Sequence, residues 1–179
     1  FYVPNDRETF DIFKYKEEKK MRKNCGPKPW LYPMPVLIIG TYDENGVPNA
    51  MNAAWGMISD VDKVTICIDA KHKTAKNIFA KKEFTVSMAD VKNMAAADYV
   101  GIVSANDVPN KLEKTGWHVT KSEFVDAPVF EELPMTLECK MLTFDKETEL
   151  MTAKIVNICV DESILNEKGK IDLDKFQPI

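Results

Sequence analysis

Residues Pro33 to Gly56, PMPVLIIGTYDENGVPNAMNAAWG, decide how the chain is read. Two apolar segments, Val36 to Tyr42 and Val47 to Trp55, flank the tetrapeptide Asp43-Glu44-Asn45-Gly46. An Asn-Gly pair between such segments predicts a hairpin with a tight type I′ turn, because both central residues must tolerate positive φ. The second arm is unusual for a strand: after Pro48 it carries Asn49, Ala50, Asn52, Ala53 and Ala54 before ending in Trp55-Gly56. Small residues forfeit packing, so such a strand is expected to let another group approach its backbone. A flat cofactor with Trp55 at its rim fits that expectation.

The 179 residues fit one domain of ordinary globular composition, 45% hydrophobic and 29% charged. A net charge of −4 argues against a general nucleic-acid binder, which needs a basic face for phosphate contacts. The longest aliphatic run, Val36 to Ile39, falls far short of the roughly 20 apolar residues that cross a bilayer. No secretory signal is visible, although Phe1 is not an initiator methionine and the natural start is expected to lie upstream. Cys25, Cys67, Cys139 and Cys159 are widely spaced, without a C-x-x-C pair or a histidine cluster. Neither a metal site nor a thiol redox motif is expected, and reduced cysteines predict a cytoplasmic location.

Residues 1–24 are charge-rich, especially Lys14 to Lys23, and are expected to form a solvated arm or short helix, leaving 25–179 as the domain. Pro27, Pro29, Pro33 and Pro35 should hold the chain extended into the first strand. Lys63 to Asp69 and Phe84 to Met88 read as strands. Between them Ala75, Ile78, Phe79 and Lys82 recur at helical spacing, predicting a helix with Thr74 as N-cap. Asp90 is placed to cap a second helix over Val91 to Tyr99, and Gly116 to end a brief helix in the loop after Asn106. Met135 to Phe144 and Leu150 to Val160 read as a long hairpin. Strands spread along the chain with tight turns and short helices predict a mainly β fold, a closed or split antiparallel barrel.

Lys71, His72 and Lys73 immediately precede the helix expected to start near Thr74. A helix N-terminus offers free N–H groups and the positive end of the dipole, so these residues and the Thr74 hydroxyl form a candidate phosphate site. The competing reading is an ordinary N-capped surface helix with basic flanks. No Ser/His/Asp grouping, G-x-S-x-G or G-x-G-x-x-G is present, so no catalytic acid, base or nucleophile is assigned.

The Pro33 to Gly56 stretch resembles the opening of the flavin reductase-like, flavoredoxin-type FMN-binding proteins. The resemblance continues through Asp69 to Asn77, Glu83 to Asp90, Ala97 to Gly116 and Ala127 to Lys140, nearly the whole chain from Lys28 onward. It implies a Greek-key antiparallel FMN-binding split barrel, a homodimer, and FMN as cofactor. His72 or Lys73, with Thr74, would hold the phosphate. Asn52, Ala53, Ala54 and Trp55 would meet the isoalloxazine edge, with the strand of Ser87, Met88 and Ala89 on its other side. Trp55 taken alone reads more readily as a core residue. Ser104 and Lys111 match a Ser-Gly…Asp-Lys-Phe stretch, from which this chain departs at Ala105, Asn110 and Leu112. The implied function is an FMN-dependent oxidoreductase of the NAD(P)H:flavin reductase kind. The alternatives are a flavoredoxin-type electron-transfer protein served by a redox carrier, or a non-enzymatic flavin binder. In each case the cofactor carries the redox chemistry.

Overall fold

The computed structural model describes residues 21–179. Most of the expected N-terminal arm lies outside the described residues. Met21–Tyr32 contains no helix or strand and its side chains are exposed. The compact unit that holds the fold is Pro33–Ile179.

Strands β1 (Leu37–Tyr42) and β2 (Pro48–Ala53) form the expected hairpin, with Gly40 opposite Ala50 and Tyr42 opposite Pro48. The turn is not type I′. Gly46 alone takes a positive φ of 79°, and Asn45 stays in the ordinary region. Asp43 explains the difference. Its Oδ1 accepts the amides of Asn45 and Val47, each at 2.9 Å, while its backbone carbonyl accepts the Gly46 amide at 3.1 Å. A side chain that captures two loop amides favours a five-residue loop with one glycine in the left-handed region over a two-residue turn.

The remaining strands are β3 (Gly56–Asp60), β4 (Lys63–Cys67), β5 (Glu83–Met88), β6 (Val119–Lys121), β7 (Pro128–Phe130), β8 (Met135–Phe144) and β9 (Leu150–Val160). Seven of them form one antiparallel sheet in the order β2-β1-β5-β8-β9-β4-β3, and β6 pairs with β7 separately. β2 and β3 occupy opposite edges of that sheet, yet only Ala54 and Trp55 separate them in the chain. Three residue steps reach at most roughly 11 Å. Seven flat strands would set their edges roughly 29 Å apart. The sheet therefore curls until its edges meet without pairing, which makes the barrel split. β3 escaped the sequence reading because four of its five side chains are exposed and carry no buried alternation.

Alternation divides the strands between two cores. Leu37, Ile39, Phe84, Val86, Leu137 and Met151 fill one face with Ala75 and Ile78 of helix α1 (Lys73–Lys81). Ile38, Ala50 and Ala89 point the other way, against helix α2 (Met94–Ile102), Trp117 and Phe130. α2 starts three residues later than expected because Asp90 Oδ1 accepts both the backbone and side-chain N–H of Asn93, each at 2.8 Å, forming a separate turn first. Gly116, with φ 74°, ends the 3-10 turn Lys111–Lys114 as expected. The C-terminal residues fold back through helix α3 (Leu173–Phe176), and Ile179 bridges the Val36 amide and the Ala89 carbonyl.

Gly40 lies where β1 passes beneath β7. A Cβ there would stand 2.4 Å from Thr85 Oγ1 and 2.9 Å from the Phe130 ring. Gly40→Ala is expected to cost about 1–3 kcal/mol through overpacking, measured by urea denaturation; a cost near zero would show that β7 yields.

Candidate functional site

Three elements meet at a cleft of about 170 Å³: β2 through Asn49, Met51 and Asn52, the start of α1 through His72, Lys73 and Thr74, and the end of α2 with residues 103–105 and Lys111. His72, not Thr74, is the N-cap; its backbone is extended and its side chain makes no capping bond. The amides of the first helical turn therefore have no side-chain acceptor from the cap residue. Thr74 sits one residue inside the helix and is buried, its Oγ1 accepting from Asn49 Nδ2 at 2.8 Å.

That bond belongs to a ladder. Asn49 and Thr41 are cross-strand partners, and Thr41 Oγ1 accepts from Asn77 Nδ2 at 3.0 Å. One strand pair thus grips two residues a helical turn apart on α1. Asn49 is 4% exposed, and its Oδ1 is the buried side-chain oxygen or nitrogen left without a partner among the described residues. An unpaired buried carbonyl costs on the order of 1–3 kcal/mol, and a ligand hydroxyl or ammonium reaching it would supply the missing donor.

The opposite wall is held by Lys111. The residue is 2% exposed, and its ammonium donates to the Val100 and Val103 carbonyls, both at 2.7 Å, at the C-terminal end of α2. Burial pushes its pKa down from 10.5 to about 8. Gly101 brings α2 close to β2, since a Cβ there would stand 2.9 Å from Asn52 Cβ, and Asn52 Nδ2 donates to the Ala97 carbonyl at 3.1 Å. Beyond the helix, Ser104 Oγ accepts the Asn106 amide at 3.1 Å, and Asn106 Oδ1 accepts from Lys76 Nζ at 3.3 Å.

The cleft gathers Asn52, His72, Lys73, Thr74, Ser104 and Lys111 from the sequence-derived set. Ala53, Ala54, Trp55, Ser87, Met88 and Ala89 do not line it. Trp55 lies 57% exposed in the link from β2 to β3, with Ala54 half-buried beside it and Ala53 in the core. Ser87 is wholly buried, its hydroxyl paired with Thr136 Oγ1 at 2.7 Å, and its neighbour Met88 packs on the core. Ala89 is buried among α2 contacts. Sequence reasoning passed over Asn49 and Met51. The available signal for Asn49 was a polar amide in mid-strand, which only the register with Thr41 turns into a functional candidate.

Residues 31–172 match the flavin reductase like domain family, and the chain belongs to that family. Flavoredoxin of Desulfovibrio vulgaris (Miyazaki F) is 32% identical with a TM-score of 0.84, the match covering 88% of this chain and 86% of that one. Flavoredoxin from Methanosarcina acetivorans is 26% identical with a TM-score of 0.73, covering 89% and 84%. A curated relative from Aeropyrum pernix is 25% identical over 83% of this chain, which spans 57% of that relative's length.

Lys111 gives the site a pH signature. Between pH about 8 and 10.5 the unfolded chain keeps a proton that the folded chain has shed, so stability rises with pH there. The gain is at most about 1.4 kcal/mol per pH unit. Chemical denaturation of wild type and Lys111→Met across that range is expected to give a difference that grows with pH; a constant difference would refute the shifted lysine.

Proposed function

We propose that the chain is an FMN-binding oxidoreductase, with 25–179 as the flavin domain. The observation that carries this reading is the Asn49–Thr74 pair at the start of α1. Asn49 Nδ2 occupies the acceptor side of the Thr74 hydroxyl, so the hydroxyl proton is free to donate to a phosphate. The orphaned Asn49 Oδ1 asks for a hydroxyl donor, which a ribityl chain supplies. Lys73 and the first-turn amides of α1 complete a phosphate cradle. A cleft of about 170 Å³ suits that arm and not the ring system, which supports an isoalloxazine lying outward, along Asn52 to Trp55.

Bound FMN would accept a hydride or electrons and pass them on. Reduced nicotinamide is the leading donor. The likeness to flavoredoxins favours electron transfer from a carrier protein as the second reading. The exposed Trp55, Met57 and Ile58 at edge strand β3 supply an apolar surface that a homodimer would cover. Four free thiols are the basis for placing the protein in the reducing cytoplasm. Among the described residues no helix is long and apolar enough to cross a membrane.

Denaturing the purified protein is expected to release FMN. Thr74→Ala should raise the FMN dissociation constant about tenfold or more and that of riboflavin by clearly less, whereas Asn49→Ala should weaken both alike. Equal losses for the two ligands in Thr74→Ala would move the phosphate elsewhere.

Anaerobic stopped-flow mixing with NADH or NADPH should bleach the flavin band with weak saturation and little preference. No helix start is reserved for a dinucleotide pyrophosphate in the way a Rossmann fingerprint provides. Tight, selective saturation would refute this. Bleaching by dithionite or reduced ferredoxin, but by neither nicotinamide, would establish the carrier-fed reading instead.

A further inference from the structure

Lys73 stands between two clefts. Beyond the one described lies a second, of about 330 Å³, lined by Asp43, Pro48, Asn106 and Pro109. The two share Asn49, Lys73 and Ala105, so a ligand that fills the first and runs past Lys73 enters the second. We propose that Asp43 is a specificity-determining residue that restricts the site to ligands ending in a single phosphate and rejects those continuing through a pyrophosphate. This rests on the reading that the first cleft takes a flavin phosphate.

Asp43 is a fixed anion. Its Oδ1 is held by the Asn45 and Val47 amides at 2.9 Å each, and its Oδ2 lies 3.7 Å from Lys73 Nζ. The Val47 amide above all, with the Asn45 amide and the Lys73 charge, holds its carboxyl below the usual range. It therefore stays ionised at neutral pH and cannot turn away without releasing the loop. One phosphate in the first cleft meets the Lys73 ammonium, the Thr74 hydroxyl and the α1 amides. A second phosphate past Lys73 meets the Asp43 carboxylate instead. Lys76 Nζ, which reaches the Asn106 wall of the second cleft, is engaged by Asn106 Oδ1. A single loose ion pair at 3.7 Å adds little stability, so its effect on ligand charge is its main consequence.

Asp43→Asn tests this, since the amide keeps an oxygen for the loop and loses the charge. Asp43→Ser keeps a hydroxyl acceptor and serves as the second variant. Calorimetric titration with FMN, FAD and riboflavin reads the effect. In wild type FAD is expected to bind more weakly than FMN. In both variants the ratio of FAD to FMN dissociation constants should fall about fivefold or more, with riboflavin unchanged. An unchanged ratio in both variants overturns the proposal. So does a uniform loss for all three ligands, which would reduce Asp43 to a loop fastener. Wild type that takes up none of the three would overturn the FMN reading itself, a different result from an FMN binder whose preference ignores Asp43.

Discussion

The Ala54–Trp55 link constrains everything else. It ties the two edges of a seven-stranded sheet to within two residues of each other, and no flat or gently twisted sheet satisfies that. Once the sheet curls, one set of alternate side chains must fill the interior, and Leu37, Ile39, Phe84, Val86 and Met151 do. The outward-facing residues of β1 and β2 then need a cover, which α2 and the β6–β7 segment provide. The cleft is the gap left between that cover and α1, beside the seam where the barrel is split. Among the described residues nothing packs over the link that closes the sheet, and Trp55 stays exposed.

Helix α1 is fixed to the hairpin as much by polar contacts as by apolar ones. Ala75 and Ile78 bury into the core, while Asn49–Thr74 and Thr41–Asn77 fix its rotation and height on the strands. A buried amide pair of this kind costs stability unless every atom is satisfied, and Asn49 Oδ1 is not. The protein thus carries a local deficit at the point where the N–H groups of α1 open onto the cleft. A ligand hydroxyl reaching Asn49 Oδ1 would remove it.

The barrel was legible from the sequence because long alternating runs and hairpin residues are local signals. Met135 to Phe144 and Leu150 to Val160 emerged at the bounds the structure shows. What was not legible depends on side chains acting at a distance. Asp43 reshaped the Asn-Gly turn by capturing loop amides, and Asp90 delayed α2 by holding Asn93. Thr74 reads as an N-cap locally, but Asn49, 25 positions earlier, draws it into the helix as an anchor. The six site residues gathered by the cleft came mainly from the basic run and the Ser104–Lys111 stretch. Ser87 and Ala89 lie buried on one face: Ala89 packs in the cluster that includes α2, and Ser87 pairs with its cross-strand neighbour Thr136 on β8.

Charge in the cleft is tightly rationed. In a chain of net charge −4, the two ammonium groups that line it are each already engaged, Lys73 by Asp43 and Lys111 by the α2 carbonyls. Neither presents a bare cation, so nonspecific attraction of polyanions is weak and salt-screened. Anion binding must then lean on groups whose direction is fixed: the first-turn amides of α1 and the Thr74 hydroxyl, whose acceptor side Asn49 has filled. Oriented dipoles of that sort favour a ligand of one shape over any ligand of the right charge. Selectivity of that kind would suit the proposed FMN site, which would have to hold one cofactor while leaving the face of its ring open.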